Sequence, residues 1–228
     1  LGTGSSILMN TGNQRPVSEH GMVETICWSA GERVDYALEG IIVSCGSSIT
    51  WLRDQMGLYS ENHESDALAE SVPDNGGVCL VPAFAGLGAP YWKMEQTALI
   101  SGLTFATGKA HVVRAGLESI GYQVKDVVDA MELDSGISLA RLQADGGLTK
   151  SSFVMPHLAD LLQVPVAVIE LTEASALGAA LLAGLGAGIY SGIEEIAAMP
   201  YTSIDYQPRT QTGVQEEYQM WKKTVRAL

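Results

Sequence analysis

The sequence predicts an α/β fold in which a three-stranded antiparallel meander is followed by parallel βαβα units. Three observations carry this. Short strand-like runs separated by turn residues fill residues 2 to 43. A long apolar stripe at helical spacing begins after Thr107. From Leu139 onwards, strand-like and helix-like segments alternate, an order that implies a parallel sheet with right-handed crossovers.

SSILMNTG and MVETICWSA are the first two strands, divided by the turn formers NTGNQ and EHG, and Val34 to Ile42 is the third. At Ser44 the period changes. Ile49, Leu52 and Met56 recur at helical spacing, with Ser44 as the cap and Gly57 as the residue that ends the helix. Residues 58 to 76 are polar and show no assignable period. VCLVPAF, residues 78 to 84, is a buried strand, and the long loop AGLGAPYWKMEQT follows. In that loop Tyr91 and Trp92 either anchor the loop or shape a cleft.

The strongest helix places Val113, Leu117, Ile120, Val124, Val127 and Met131 on one face. Arg114, Glu118, Lys125 and Asp129 fall off that stripe; Arg53 and Arg114 read as solvated partners of Asp54 and Glu118, and Asp129, Glu132 and Asp134 as a solvated helix end. LARLQA is then a strand, SSFVMPHLADLL a helix that tolerates Pro156 in its first turns, and VPVAVIE a strand. Thr172 is the expected N-cap of the Ala-rich helix from Glu173. The uncharged run ASALGAALLAGLGAGI, residues 174 to 189, falls short of the roughly 20 apolar residues a membrane span needs. It reads as a buried helix packed closely on its neighbours. Tyr201 to Pro208 is a linker, and Val214 to Ala227 an amphipathic helix that docks Trp221 and leaves Lys222 and Lys223 in water.

At 46% hydrophobic residues, the 228-residue chain can build a substantial core. Its net charge of −13 excludes the positive field a nucleic-acid binder needs. An anionic ligand is still compatible, provided backbone N–H groups, helix N-termini or a metal ion receive it. Cys27, Cys45 and Cys79 are odd in number and have no metal-ligand spacing, and His20, His63, His111 and His157 are scattered. A disulfide scaffold and a protein-held metal site are therefore poor readings. No signal peptide is visible, and the expectation is a soluble cytoplasmic protein without membrane contact.

Three glycine-containing clusters are the candidate binding elements. DGGLTKSSF, residues 145 to 153, sits at a strand-to-helix junction, where α/β sheets place ligands. Gly146 and Gly147 permit close backbone approach, and Ser151 or Ser152 can cap the next helix. An ordinary tight turn is the alternative. LGTGSS, residues 1 to 6, offers a Gly2-Thr3-Gly4 turn whose N–H and O–H groups can hold phosphate oxygens. SCGSSITW, residues 44 to 51, puts Gly46 in a first helical turn, either for ligand contact or for close packing. Neither a complete P-loop nor the dinucleotide fingerprint is present, so a nucleotide site here has to be assembled from several loops.

These blocks, together with YALEGIIVSCGSSITWLRDQMGL, VPAFAGLGAPYW, RAGLESIGYQVKDVVDAM, EASALGAALLAG and EEYQMWKKTVRA, run nearly end to end in one order. In them the chain resembles the C-terminal domain of the FGGY carbohydrate kinases, and among these the glycerol kinases most closely. The resemblance implies the actin-like, ribonuclease H-like ATPase fold, shared with hexokinase, with residues 1–200 as the nucleotide-binding domain and 201–228 as its linker and last helix. It implies MgATP as cofactor and a small polyol or sugar as substrate. Gly2, Thr3 and Gly4 would meet the phosphates; Gly46 and Thr50 would line the site from the helix start; Gly146, Gly147 and Ser151 would lie on the adenosine side. Asp145 would be a structural or turn-capping carboxylate, and no residue of this chain takes the role of catalytic base, which the resemblance assigns to an N-terminal domain preceding it.

The chain departs from the pattern at four places. Thr50 stands where a Gln is usual, Ser151 where an Asn is usual, and Ser6 where glycerol kinases place a Phe against the polyol. The loop Lys93 to Ala98 also replaces the DPxARG pattern. Ser6 leaves room for a larger or more hydroxylated substrate, so an erythritol, pentitol or pentulose kinase, or a non-catalytic nucleotide-binding module, are the alternatives to a glycerol kinase. The resemblance further implies a homo-oligomeric parent and a fragment that is inactive by itself.

Overall fold

The computed structural model describes residues 1–170, 174–209 and 213–228. Strands β1 (Ser5–Gly12), β2 (Val23–Ala30) and β3 (Arg33–Ile42) form the first sheet. All pairings are antiparallel, but the order is β1-β3-β2 rather than that of a meander. The reason is local: β2 and β3 are joined by a two-residue hairpin in which Ala30 faces Arg33, leaving the other edge of β3 to pair with β1.

Helix α1 (Gly46–Asp54) follows, with Cys45 rather than Ser44 at its N-cap and no side-chain cap. Its end matches the sequence: the Gly57 N–H donates to Arg53 O at 3.1 Å and the Leu58 N–H to Leu52 O at 3.1 Å. Ile49 and Leu52 are buried, whereas Met56 is exposed. The unassigned polar stretch contains helix α2 (Asn62–Glu70). Strand β4 (Cys79–Val81) is shorter than its apolar run and pairs with β5 (Leu99–Ser101), which the sequence did not announce.

Helix α3 (Lys109–Ser135) is the axis of the core. All six stripe residues are buried, each contributing about 1.5–3 kcal/mol of apolar transfer free energy. The polar face is not solvated as expected. Glu118 is fully buried, accepting from Arg114 Nε at 2.7 Å and Asn75 Nδ2 at 2.8 Å, and burial raises its carboxyl above the usual range against these two partners. Asp134 is also buried, because residues 18–20 wrap the helix end: the Ser18 hydroxyl donates to it at 2.6 Å and the Glu19 N–H at 3.0 Å.

Strand β6 (Leu142–Ala144), a 3₁₀ helix (Gly147–Lys150), α4 (Val154–Leu162) and β7 (Val166–Ile169) form the parallel unit. Thr172 lies outside the described residues. Helix α5 (Ala174–Gly186) is not the buried helix its composition implies: only Gly184 is buried, and Leu177 and Leu182 are 41% and 37% exposed. An all-round apolar helix reads as buried, but the described residues leave most of its surface uncovered. A short α6 (Ile193–Ala197) comes next. The stretch read as a linker contains β8 (Ser203–Tyr206), which joins β7 antiparallel because its backbone N–H and C=O groups complete that open edge. Helix α7 (Val214–Ala227) buries Val214, Tyr218, Trp221 and Val225. It is held from below: Asp126 on α3 accepts from Tyr91 Oη at 2.8 Å, Tyr218 Oη at 2.7 Å and Trp221 Nε1 at 2.7 Å. Tyr91 is thus a loop anchor, as is Trp92, whose Nε1 donates to Gly21 O at 2.6 Å.

Candidate functional site

The three glycine clusters, distant in sequence, converge. The turn before β1 is fastened to the start of α1 mainly by backbone. Cys45 N and Ser47 N donate to Thr3 O at 3.0 and 3.2 Å, and Gly46 N donates to Gly2 O at 2.9 Å. The Ser47 hydroxyl adds a bond to Thr3 O at 3.1 Å. Position 46 must be glycine for this seam to close, since a Cβ there would lie 2.7 Å from Gly2 O. The 145–153 segment joins the same seam through Leu148 N, which donates to Leu1 O at 3.2 Å. Gly146 adopts φ +97°, and its Cβ would strike Leu1 O at 2.6 Å. Its glycine therefore serves packing of turn on turn.

A cavity of about 930 Å³ opens along this seam, within the size range of small-molecule sites. Of the residues proposed from sequence, Gly2, Thr3, Gly46, Thr50, Gly147 and Ser151 line it. Gly4 and Gly146 lie behind it as packing residues. Gly147 presents open backbone, with nothing within 4 Å of where its Cβ would be. Thr3 is exposed, and its carbonyl rather than its hydroxyl makes the bonds to Cys45 and Ser47. The Thr50 hydroxyl turns back to Gly46 O at 3.2 Å.

Ser6, expected at the substrate, and Asp145, expected as a turn-capping or structural carboxylate, lie outside the cavity lining. Ser6 lies on β1, two residues beyond Gly4, and donates to Glu39 Oε1 on β3 at 2.5 Å. Asp145 is exposed, and its hydrogen bond runs through its carbonyl, which accepts from Leu1 N at 2.7 Å. No turn is capped by its carboxylate among the described residues.

The far wall of the cavity is helix α2, which sequence reasoning missed. Asn62, His63, Ser65, Asp66, Ala67 and Glu70 line the space opposite the glycine turns. The missed signal is Glu64, an acid in the first helical turn, whose Oε2 accepts from Ser60 N just before the helix at 2.8 Å. Asp66 ties α2 to the loop before α4: its carboxylate accepts from Ser151 Oγ and Ser152 N, both at 2.8 Å. The N-cap position of α4 falls on Phe153 rather than Ser151 or Ser152, but the Ser151 oxygen still accepts from Val154 N at 3.0 Å and Phe153 N at 3.3 Å.

A second cavity of about 550 Å³ lies between the β2–β3 hairpin and α5–α6. Its one cation, Arg33, is committed to Asp35 and Glu194. Among the described residues no three His, Cys, Asp or Glu side chains converge as a metal-binding group.

The comparisons agree with this architecture. Residues 1–187 match the FGGY family of carbohydrate kinases, C-terminal domain. The glycerol kinase of Symbiobacterium thermophilum is 47% identical over 225 residues, covering 98% of this chain and 45% of that protein. The glycerol kinase of Bacillus subtilis is 46% identical over 227 residues, 99% of this chain and 46% of that protein. A crystal structure of Plasmodium falciparum glycerol kinase with ADP superimposes with a TM-score of 0.90 at 33% identity, covering 100% of this chain and 46% of that one. A ligand-bound xylulose kinase from Lactobacillus acidophilus, at 22% identity and a TM-score of 0.88, covers 100% of this chain and 46% of that one and shares the fold. The chain thus spans about half the length of the curated relatives it matches. Its fold is the actin-like, ribonuclease H-like one of these kinases, and the chain belongs to the FGGY family of carbohydrate kinases, as a C-terminal domain.

Proposed function

We propose that this chain is the nucleotide-binding lobe of an ATP-dependent kinase that phosphorylates a primary hydroxyl of a small polyol. The observation that carries this reading is the cavity itself, in which two glycine turns and a helix start, from three separate segments, present backbone to one space. Phosphoryl transfer depends on positioning and charge stabilisation more than on covalent chemistry. When bound, MgATP supplies the phosphoryl group and a cation that neutralises its charge. The chain's own part is to hold. Thr3 offers a free-standing hydroxyl beside Gly2, the start of α1 fixes that turn in place through its own N–H groups, and Gly147 admits a flat group against bare backbone.

The donor set fits a magnesium ion that arrives on the phosphates, because Mg²⁺ in such sites is held largely by phosphate oxygens and water. No protein cage is required of this lobe.

The kinase relatives are about twice as long, and α5 exposes an apolar surface here. Both support a second lobe that carries the catalytic base and most of the polyol contacts. The chain alone is then expected to bind nucleotide weakly and to transfer nothing. The test is a thermal-shift titration of the chain with MgADP, beside ADP release from chain and full-length protein with glycerol and erythritol. Saturable stabilisation with turnover only in the full-length protein supports the reading; robust turnover by the chain refutes it. The Ser6–Glu39 pair favours a second reading of the substrate, because a hydroxyl already in a hydrogen-bonded pair stands where a ring would offer only apolar contact. A four- or five-carbon polyol preferred over glycerol in the same assay would select that reading.

A further inference from the structure

The serines of the 150–153 loop have little left to offer a ligand. A serine hydroxyl has one donor and two acceptor sites. Ser151 donates its proton to Asp66 Oδ1 at 2.8 Å, and its oxygen accepts from Phe153 N and Val154 N. Ser152 has one hydroxyl proton, shared between Glu70 Oε1 at 3.1 Å and Asp66 Oδ2 at 3.3 Å, while its N–H donates to Asp66 Oδ2 at 2.8 Å. A carboxylate has about four acceptor sites. Among the described residues Asp66 Oδ1 accepts from Ser151 alone, so it retains acceptor capacity, and Asp66 is half-buried in the cavity wall.

The cavity is accordingly polar in one direction. Its turn side offers the Thr3 hydroxyl and the open backbone of Gly147, with Lys150 beside them; its α2 side offers carboxylate acceptors from Asp66, with Glu70 one turn further on and His63 on the same helix. The 3₁₀ helix, Gly147–Lys150, leads from the glycine turn to the serines that Asp66 holds. A phosphate beside Asp66 would meet a like charge. A neutral group bearing O–H or N–H donors would meet an acceptor already fixed by two serines.

We propose that Asp66 is a nucleotide-recognition residue of this lobe, its Oδ1 accepting a hydrogen bond from a donor group of the nucleoside while Ser151 and Ser152 hold the carboxylate in place. The inference rests on the nucleotide reading of the cavity. It differs from the sequence expectation, in which Ser151 itself makes the contact. The donor can be a ribose hydroxyl or the exocyclic amino group of the base, and the two are separable by substrate analogues.

The experiment uses the full-length protein and compares kcat and KM for ATP, 2′-deoxy-ATP and inosine triphosphate, in wild type and in Asp66→Asn, Asp66→Ala and Ser151→Ala. A site built to bond a donor rejects an analogue that lacks it. The wild type is expected to show a KM higher by about tenfold for one of the two analogues. Asp66→Ala is expected to raise the KM for ATP by a similar factor, to leave kcat and the polyol KM near wild type, and to abolish that discrimination. Asp66→Asn, whose amide still accepts through its oxygen, falls between. Ser151→Ala loosens the carboxylate and gives a smaller rise of the same kind. Discrimination that survives in Asp66→Ala, or a loss of kcat equal for all three nucleotides, overturns the proposal in favour of a purely structural tether. A wild type that treats all three nucleotides alike overturns it without any variant, so a variant that fails to fold does not shelter it. Failure of wild type to use any nucleoside triphosphate would instead remove the nucleotide reading beneath it.

Discussion

At the scale of single residues, the site divides into positions that sequence could name and positions it could not. Gly46 could be named, because a glycine at a helix start beside hydroxyl residues has few roles. Its geometry makes a sharp prediction. In Gly46→Ala the new Cβ lies 2.7 Å from Gly2 O, so the seam must open. The expected cost is about 1–3 kcal/mol, together with loss of MgADP-dependent stabilisation, both read from thermal unfolding with and without nucleotide. Asp66 could not be named, since its meaning comes from Ser151, 85 positions away. Ser6 was legible as an anomaly but not as a bonded pair with Glu39. Ser6→Phe in the full-length protein removes that 2.5 Å bond and adds apolar surface. The expected outcome is a severalfold shift of kcat/KM toward glycerol over erythritol, roughly the factor one pocket group can supply. An unchanged ratio would remove Ser6 from the substrate question.

Among the elements, α3 and α7 were the most readable, because a sustained 3.6-residue period survives any tertiary context. Helix α2 and strand β8 were not: one is a polar nine-residue helix and the other a four-residue strand in a polar run. Their placement is decided by the partners waiting for them, not by their own composition. The same holds for the buried acids of α3, whose companions come from segments that periodicity cannot see. The α7 latch is testable through Trp221→Phe, which keeps the apolar filling but removes one donor from Asp126. A hydrogen bond to a charged group is worth about 1.5–3 kcal/mol, and at this chain size roughly 2–4 °C in Tm accompanies each kcal/mol.

A buried and a half-buried titratable group on neighbouring helices act on stability in opposite senses. His157 on α4 is held neutral, its pKa lowered to about 4 by burial and by Arg114. The unfolded chain then binds the extra proton, so stability falls as pH drops from about 6.5 toward 4. Glu217 on α7 is raised to about 7 by burial and by Glu118. Here the folded chain binds the extra proton, so its contribution declines as pH rises from about 4.3 toward 7. Glu217→Gln should therefore raise Tm relative to wild type at pH 8 and leave it nearly unchanged at pH 4, in parallel unfolding scans.

For the whole molecule, the informative misreading is α5. Its sequence correctly announced a helix that wants to be covered on most sides, yet within this chain Leu177 and Leu182 stay exposed. Composition reports what a helix needs and is silent on which polypeptide supplies it. If a second lobe covers α5, Leu182→Asp should leave the unfolding of the 228-residue chain within about 0.5 kcal/mol, as for a surface change. The same substitution should destabilise the full-length protein by several times that amount. Equal effects in both contexts would mean that α5 stays bare.

The seam at Gly2, Thr3 and Gly46 bears on how such a kinase can move. Four hydrogen bonds join the turn to α1, and a glycine with no spare clearance sits between them. The loop therefore has no slack with which to flap over a ligand like a lid. Turn and helix start are built as one body, so a displacement of either carries the other with it.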